Sequence, residues 1–231
     1  MTSLSERLQH IRSQIRHASH IAGRPADSVQ LLAVSKTKPS TDIATLYRLG
    51  QRHFAENYLQ EALVKQTALA GFNITWHFIG PIQSNKTRAI AQNFAWVHSV
   101  DRLKIAERLS EQRPEHLPPL NICLQINISQ ETSKSGIQLE QLPSLVDAIS
   151  KLPRLCLRGV MAIPEPCDNY PQQRLPYRLI YQAVSQLNKP ELDSFSFGMS
   201  EDLKAAIMEG ATMVRVGTAL FGARLYSKAA E

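Results

Sequence analysis

Short apolar runs alternate with longer segments of helical periodicity along this chain, and that rhythm constrains the fold more than any single residue does. Runs at 29–35, 51–55, 74–79, 94–97, 120–126, 155–161, 194–197 and 212–216 read as strands. Between them, 41–49, 57–70, 84–93, 101–112, 139–150, 171–188 and 200–209 read as helices, and the tail from 219 as a short last one. Strands that alternate with helices imply a parallel sheet, since each return to the same edge needs a long crossover. Eight such units in 231 residues predict an α/β fold, a single closed (β/α)₈ barrel of the TIM type spanning 1–231, in preference to an open sheet. A further helix is expected at 3–22. Ser3 and Glu6 make a capping-box pattern, Leu4, Leu8, Ile11, Ile15, Ala18 and Ala22 repeat at helical spacing, and Gly23 and Pro25 stop it. The proline-rich stretch 164–176 reads as a loop within the domain.

Composition narrows the function. The net charge of +6, from 26 basic and 20 acidic residues, is spread without blocks. Mild basicity of that kind suits an anionic ligand and argues against nucleic acid, for which no motif is present. Cys123, Cys156 and Cys167 are odd in number and form no C-x-x-C pair, which points to reduced thiols and a cytoplasmic protein. The first residues lack the apolar core of a signal peptide, and no run approaches the ~20 apolar residues of a membrane span, so no membrane partner is expected.

In a barrel of this kind the site lies at the C-terminal ends of the strands. Lys36 follows the first predicted strand, Glu56-Asn57 the second, Gly80-Pro81 the third, His98-Ser99 the fourth and Asn127 the fifth. Met161 ends the sixth, Gly198-Met199-Ser200 follows the seventh and Gly217-Thr218 the eighth. The loops after strands seven and eight are the usual phosphate site of the fold. Ser200 reads as the N-cap of the next helix, whose free N–H groups suit an anion, while Gly198 and Gly217 allow close backbone approach and Thr218 adds a hydroxyl. Glu201 and Asp202 oppose a phosphate unless they turn away. Simple capping and turn chemistry is the competing reading of both loops. Arg215 shares strand parity with Met213 and Gly217, so it either enters the site from the floor or sits in a structural ion pair.

Lys36 is the most informative of these residues. An amine at the lip of a buried strand loses solvation unless it reaches back to water, and an amine kept neutral near a phosphate site is what a Schiff base with a carbonyl cofactor requires. His53, His77 and His98 lie near strands but lack metal-ligand spacing, so no metal is expected. By its local context His77 is a satisfied core histidine.

Seven segments, taken in order, resemble the pyridoxal phosphate homeostasis protein family. They are 31–39 (LLAVSKTKP), 54–61 (FAENYLQE), 76–86 (WHFIGPIQSNK), 132–137 (TSKSGI), 158–164 (RGVMAIP), 197–207 (FGMSEDLKAAI) and 214–222 (VRVGTALFG). The resemblance runs from about residue 4 to residue 225 and implies a fold-type III barrel like the cofactor domain of alanine racemase. It implies that Lys36 carries pyridoxal 5′-phosphate covalently as an aldimine, and that Ser200, Gly217 and Thr218 hold the phosphate. It also implies that Arg215 faces the pyridine nitrogen, with Asn57, His77 and Met161 near the ring. Lys134 matches a lysine of the family whose role lies in cofactor transfer. Ala55 departs from the family's glycine but leaves Asn57 in place.

The same resemblance implies a cofactor-buffering or delivery protein without robust catalysis, with apo forms of PLP-dependent enzymes as candidate recipients. An arginine at the pyridine nitrogen weakens the ring as an electron sink. Racemases of this fold also take a tyrosine from a second domain across a dimer. This chain stops at residue 231, which leaves Tyr58 and Tyr226 and favours a monomer with an open site. A narrow amino-acid racemase is the second reading. A barrel that binds another phosphorylated metabolite, with Lys36 merely structural, is the third.

Overall fold

The computed structural model describes residues 2–129 and 135–222. Eight parallel strands form a closed barrel in chain order. They are β1 (Gln30–Val34), β2 (His53–Glu56), β3 (Thr75–Phe78), β4 (Trp96–Val100), β5 (Leu120–Ile126), β6 (Leu155–Ala162), β7 (Ser194–Ser196) and β8 (Met213–Val216). Closure is made by β1 against β8, in the register Gln30↔Met213, Leu31↔Val214, Leu32↔Arg215 and Ala33↔Val216.

Strand alternation sorts the side chains into two layers. Leu31, Ala33, Phe54, Phe78, Val97, Val160, Val214 and Val216 point outward into the large core shared with the helices. Leu32, Val34, Ala55 and Met213 point inward and form a small cluster inside the barrel, with Ile79 and Trp96 against it.

The surrounding helices are α1 (Leu4–Ile21), α2 (Ser40–Arg48), α3 (Leu59–Ala68), α4 (Thr87–Asn93), α5 (Leu103–Gln112), α6 (Leu142–Ile149), α7 (Tyr170–Ser185), α8 (Leu203–Met208) and α9 (Thr218–Phe221). The capping box at Ser3 and Glu6 forms, and α1 buries Leu8, Ile11, Ile15 and Ala18. It lies against α8 and α9, which span only 6 and 4 residues and leave that flank thinly covered. Arg7 Nε–H donates to the Leu220 carbonyl at 2.7 Å and ties α1 to the barrel's last turn.

Three elements differ from the sequence expectation. The proline-rich stretch 164–176 is a loop only up to residue 169, because α7 starts at Tyr170 with Pro171 in its first turn, where no N–H is needed, and carries Pro176 within it. The fourth strand runs from Trp96 to Val100, so His98 and Ser99 lie within it instead of after it. Both are buried, and the Ser99 hydroxyl donates to the Gly80 carbonyl at 2.5 Å. The eighth helix starts at Leu203, three residues later than expected, so Ser200 is not its N-cap. Asp202 takes the cap position, and its carboxylate accepts the Met199 N–H at 2.6 Å and the Tyr177 hydroxyl at 2.5 Å. Those two bonds hold residues 199–202 as a turn. Lys134, Tyr226 and the chain beyond 222 lie outside the described residues. Among the described residues, no helix is long and apolar enough to cross a membrane.

Gly159 in β6 has φ +152°, and a Cβ there would lie 1.9 Å from the Ser194 carbonyl oxygen of β7. Backbone cannot yield as a side-chain tip can. Gly159→Ala is expected to destabilise the protein by about 2–4 kcal/mol in urea unfolding. Gly71→Ala, where a Cβ meets nothing within 4 Å, is expected to stay within about 1 kcal/mol of wild type. Equal midpoints for the two variants would show that the β6–β7 approach is not tight.

Candidate functional site

Lys36 sits half-buried in the turn that leaves β1, with the parity of the inward-facing Leu32 and Val34. Both of its chain neighbours are pinned. The Ser35 hydroxyl donates to Glu56 Oε1 at 2.6 Å, and Ser35 N–H donates to the Ala55 carbonyl at 3.0 Å. Thr37 adopts the left-handed conformation (φ 64°), and its N–H donates to Glu61 Oε1 at 2.6 Å. Lys65 of α3 joins the two sides. Its Nζ reaches the Ser35 carbonyl at 2.6 Å, Glu56 Oε1 at 2.8 Å and Glu61 Oε1 at 2.5 Å.

Glu56 is fully buried and Lys65 is 5% exposed, so this cluster is an internal one. Burial pushes the Glu56 carboxyl above the usual carboxylate range, while Lys65 and the Ser35 hydroxyl pull it back. Removing one member of a buried pair of this kind costs about 3–5 kcal/mol, because the other charge is stranded.

Asn57 follows β2 and is half-buried, and its side-chain Oδ1 is buried without a hydrogen-bond partner. Its backbone is fixed by Gly80, where a Cβ would lie 2.0 Å from the Asn57 carbonyl oxygen. The next strand exit therefore has to be glycine for Asn57 to occupy its place. A buried acceptor with no protein partner is free to take a donor from a ligand or a water.

Arg215 enters the barrel from the floor, 3% exposed. Its guanidinium donates to the carbonyl and hydroxyl of Ser196 (2.8 Å to Oγ) and to the Ala162 carbonyl at 2.9 Å. Among the described residues no carboxylate makes an ion pair with it. Of the two sequence alternatives for Arg215, the interior position is the observed one. Burial lowers its affinity for its proton, partly offset by Tyr177 and Asp202. Met161 pairs in register with Ser196 and so shares the interior face beside Arg215, with 1% exposure.

Ser200 and Thr218 are exposed and line one cavity of ≈ 290 Å³, together with Pro164, Cys167, Met199 and the acidic residues Glu165, Glu201 and Asp202, so Glu201 and Asp202 do not turn away from it as a phosphate would require. Gly217 adjoins them. Its backbone (φ −109°, ψ −83°) lies outside the regions that residues with a Cβ favour, and a Cβ there would meet Val34 at an ordinary 3.5 Å.

His77 lies elsewhere. Its Nε2 meets His53 Nδ1 at 3.0 Å, and its Nδ1 meets His98 Nε2 at 2.9 Å. With His53, Gln30, Trp96 and Met213 it lines a cavity of ≈ 340 Å³ at the opposite, N-terminal mouth, where these strands begin. The structure thus gathers Lys36, Asn57, Gly217 and Thr218 on the C-terminal rim, with Arg215 and Met161 beneath and Ser200 beside Thr218. It turns His77 into a file of three histidines. Among the described residues no cluster of histidine, cysteine, aspartate or glutamate is arranged to hold a metal. Sequence reasoning missed the Glu56–Glu61–Lys65 cluster, although Glu61 and Lys65 at helical i, i+4 spacing behind a strand-borne Glu56 were a usable signal.

Fold and rim together define a barrel of the alanine racemase N-terminal domain type, and that family matches residues 7–225. A pyridoxal phosphate homeostasis protein of Pseudomonas aeruginosa is 56% identical over 231 residues, covering 100% of both chains. PipY of Synechococcus elongatus PCC7942, solved with PLP bound, superposes with TM-score 0.83 at 36% identity, covering 95% of this chain and 100% of that one. The alanine racemase of Corynebacterium glutamicum shares the fold, with TM-score 0.66 at 20% identity, over 96% of this chain and 63% of that one. The chain belongs to the pyridoxal phosphate homeostasis protein family.

The histidine file carries a pH prediction. Burial and the Arg215 charge press His98 from 6.5 down to about 3, and burial with its two histidine neighbours holds His77 well below its ordinary value. Unfolding frees both rings to protonate, so the unfolded state binds more protons at any pH between the two values. Stability therefore falls as pH drops below about 6.5, by about 1.4 kcal/mol per unit for each fully shifted ring. Urea midpoints measured down to about pH 4 should show this slope, and His98→Gln should flatten it relative to wild type. Parallel slopes for the two proteins would mean that His98 titrates normally.

Proposed function

We propose that this protein binds pyridoxal 5′-phosphate on the C-terminal rim of the barrel and stores and delivers it, with Lys36 as the covalent holder. When bound, the cofactor supplies a reactive aldehyde on a phosphorylated pyridine. The observation that carries the reading is the closure of β1 on β8, which sets the Lys36 turn beside Gly217 and Thr218. The residues present fit such a group. Asn57 offers a buried acceptor without a partner, and Gly217 carries no side chain beside Thr218. Ser200 and Thr218 bring two hydroxyl donors to one cavity. Arg215 would donate to the pyridine nitrogen from below, and Met161 would pack near the ring. His77, expected beside the ring, leaves this set because its two nitrogens are taken by His53 and His98.

The same geometry favours holding over turnover. Racemisation needs a second, positioned proton donor opposite the lysine. Tyr58 is 55% exposed, and the Tyr177 hydroxyl, nearer the cavity of Ser200 and Thr218, is taken up by the Asp202 carboxylate. An arginine at the pyridine nitrogen disfavours its protonation and so gives little help to carbanion chemistry. On this reading the protein is a cytoplasmic, monomeric carrier whose recipients are apo PLP-dependent enzymes, with no nucleic-acid or membrane partner.

The purified protein mixed with pyridoxal 5′-phosphate should show the visible absorbance of a lysine-bound cofactor, and Lys36→Ala should lose it. An unchanged spectrum in that variant would sink the assignment. Amino acids in deuterated water should show no protein-dependent exchange of the α-proton at catalytic rates; such exchange would favour the racemase reading. Ser200→Ala combined with Thr218→Val removes two donors worth about 1.5–3 kcal/mol each to a charged group. Cofactor retention through dialysis should drop by at least about tenfold while the urea midpoint stays near wild type. Full retention would place the phosphate elsewhere.

A further inference from the structure

We propose that Glu61, Lys65 and Glu56 are positioning residues for Lys36, a clamp that fixes the direction in which its amine leaves the β1 turn. The proposal rests on the reading of Lys36 as the covalent holder. Strand pairing by β1 ends at Val34, so nothing in the sheet itself orients residue 36. The clamp takes over at that point. Ser35 continues the strand course through its N–H bond to Ala55, and its side chain turns outward to Glu56. Thr37 is held by Glu61 in a left-handed conformation that a β-branched residue adopts only under constraint. With residues 35 and 37 both fixed, the Cα–Cβ vector of Lys36 is fixed as well.

Lys65 makes the two fixings one unit. A lysine ammonium has three N–H donors, and Lys65 uses three acceptors, the Ser35 carbonyl, Glu56 and Glu61. It is saturated and therefore unsuited to attack an aldehyde itself. Glu61 Oε1 accepts from both Lys65 and Thr37 N–H, so strand β2, helix α3 and the Lys36 turn converge on two carboxylates. A surface lysine at a turn would sample many directions, most of them toward solvent. The clamp removes the backbone part of that freedom by fixing where the side chain starts, and the gain appears as effective concentration of the amine at the site.

Glu61 is the informative position, because its side chain is 29% exposed and its removal threatens folding least. Three readouts separate the alternatives: the urea midpoint, the rate of appearance of lysine-bound absorbance on mixing with pyridoxal 5′-phosphate, and the affinity for pyridoxine 5′-phosphate, which has no aldehyde. Glu61→Ala is expected to slow capture by about tenfold to a hundredfold, to leave analogue affinity within about twofold, and to remain folded. Glu61→Gln, which keeps an acceptor for Thr37, should recover part of the rate. Lys65→Met paired with Glu56→Gln removes the buried charges together and should slow capture in the same way.

Capture at the wild-type rate in Glu61→Ala, with Lys36→Ala inactive in the same assay, would overturn the clamp and leave the Lys36 reading standing. A parallel fall in capture and analogue affinity would also overturn it, as a general loss of structure. Undiminished capture by Lys36→Ala would overturn both.

Discussion

The pairing of β1 with β8 is the contact on which the rest of this molecule depends. It joins segments at opposite ends of the chain, and four consecutive register pairs, from Gln30↔Met213 to Ala33↔Val216, close the barrel. One step beyond the last pair, Val34 lies against Gly217. The next residues out on each side are the Lys36 turn and Thr218. A slip of one residue would turn Leu32 and Val34 outward and send Lys36 into the helical layer. The outside of the same seam is fastened by Arg7 on the Leu220 carbonyl and by Lys38 on the Gly222 carbonyl at 3.0 Å. The N-terminal helix thus serves the site from a distance, by holding shut the one junction that short-range order cannot make.

The interior below that seam is more polar than a packed barrel needs to be. A guanidinium sits there on carbonyl and hydroxyl acceptors, and beside it stand three histidines bonded nitrogen to nitrogen. In a file of neutral imidazoles each junction needs one donor and one acceptor, so the protons all point one way. The Arg215 charge acts on His98 at the inner end and repels protons there. It favours the arrangement in which they point toward His53 and the N-terminal mouth. The file then absorbs no charge, and among the described residues no carboxylate ion-pairs with the cation under the rim, although Asp202 acts on it from a distance. On the proposed reading, the charge that is left suits an anionic occupant of the rim.

The order of strands and helices was legible because outward-facing positions are apolar and repeat. Residues whose side chains face the barrel interior carry no such signal. His98 and Ser99 are polar, and so the fourth strand reads as ending at Val97, although it continues to Val100. His77 has the composition of a ligand contact and the surroundings of a core residue, and only the His53 and His98 nitrogens on either side of it decide between them. Ser200 has the chemistry of an N-cap, but Asp202 two residues later binds both Met199 and Tyr177 and takes that place. The rim was readable because it sits where strand parity and chain exits coincide. The clamp was not, since it requires knowing that Glu61 and Lys65 turn back over the first strand and not outward to water.

The two halves of the rim are built differently, and the difference bears on what the protein does. On one side the backbone around Lys36 is fixed by charged groups buried from solvent. On the other, Ser200, Thr218 and Met199 are exposed around a cavity of ≈ 290 Å³. Catalysis on a cofactor rewards enclosure of both halves, because water competes with every polar contact in the transition state. Storage followed by release rewards something else: an amine held ready to capture, and phosphate contacts that solvent can replace one at a time. On the proposed reading, a clamped Lys36 turn on one side and an exposed cavity on the other meet that second requirement.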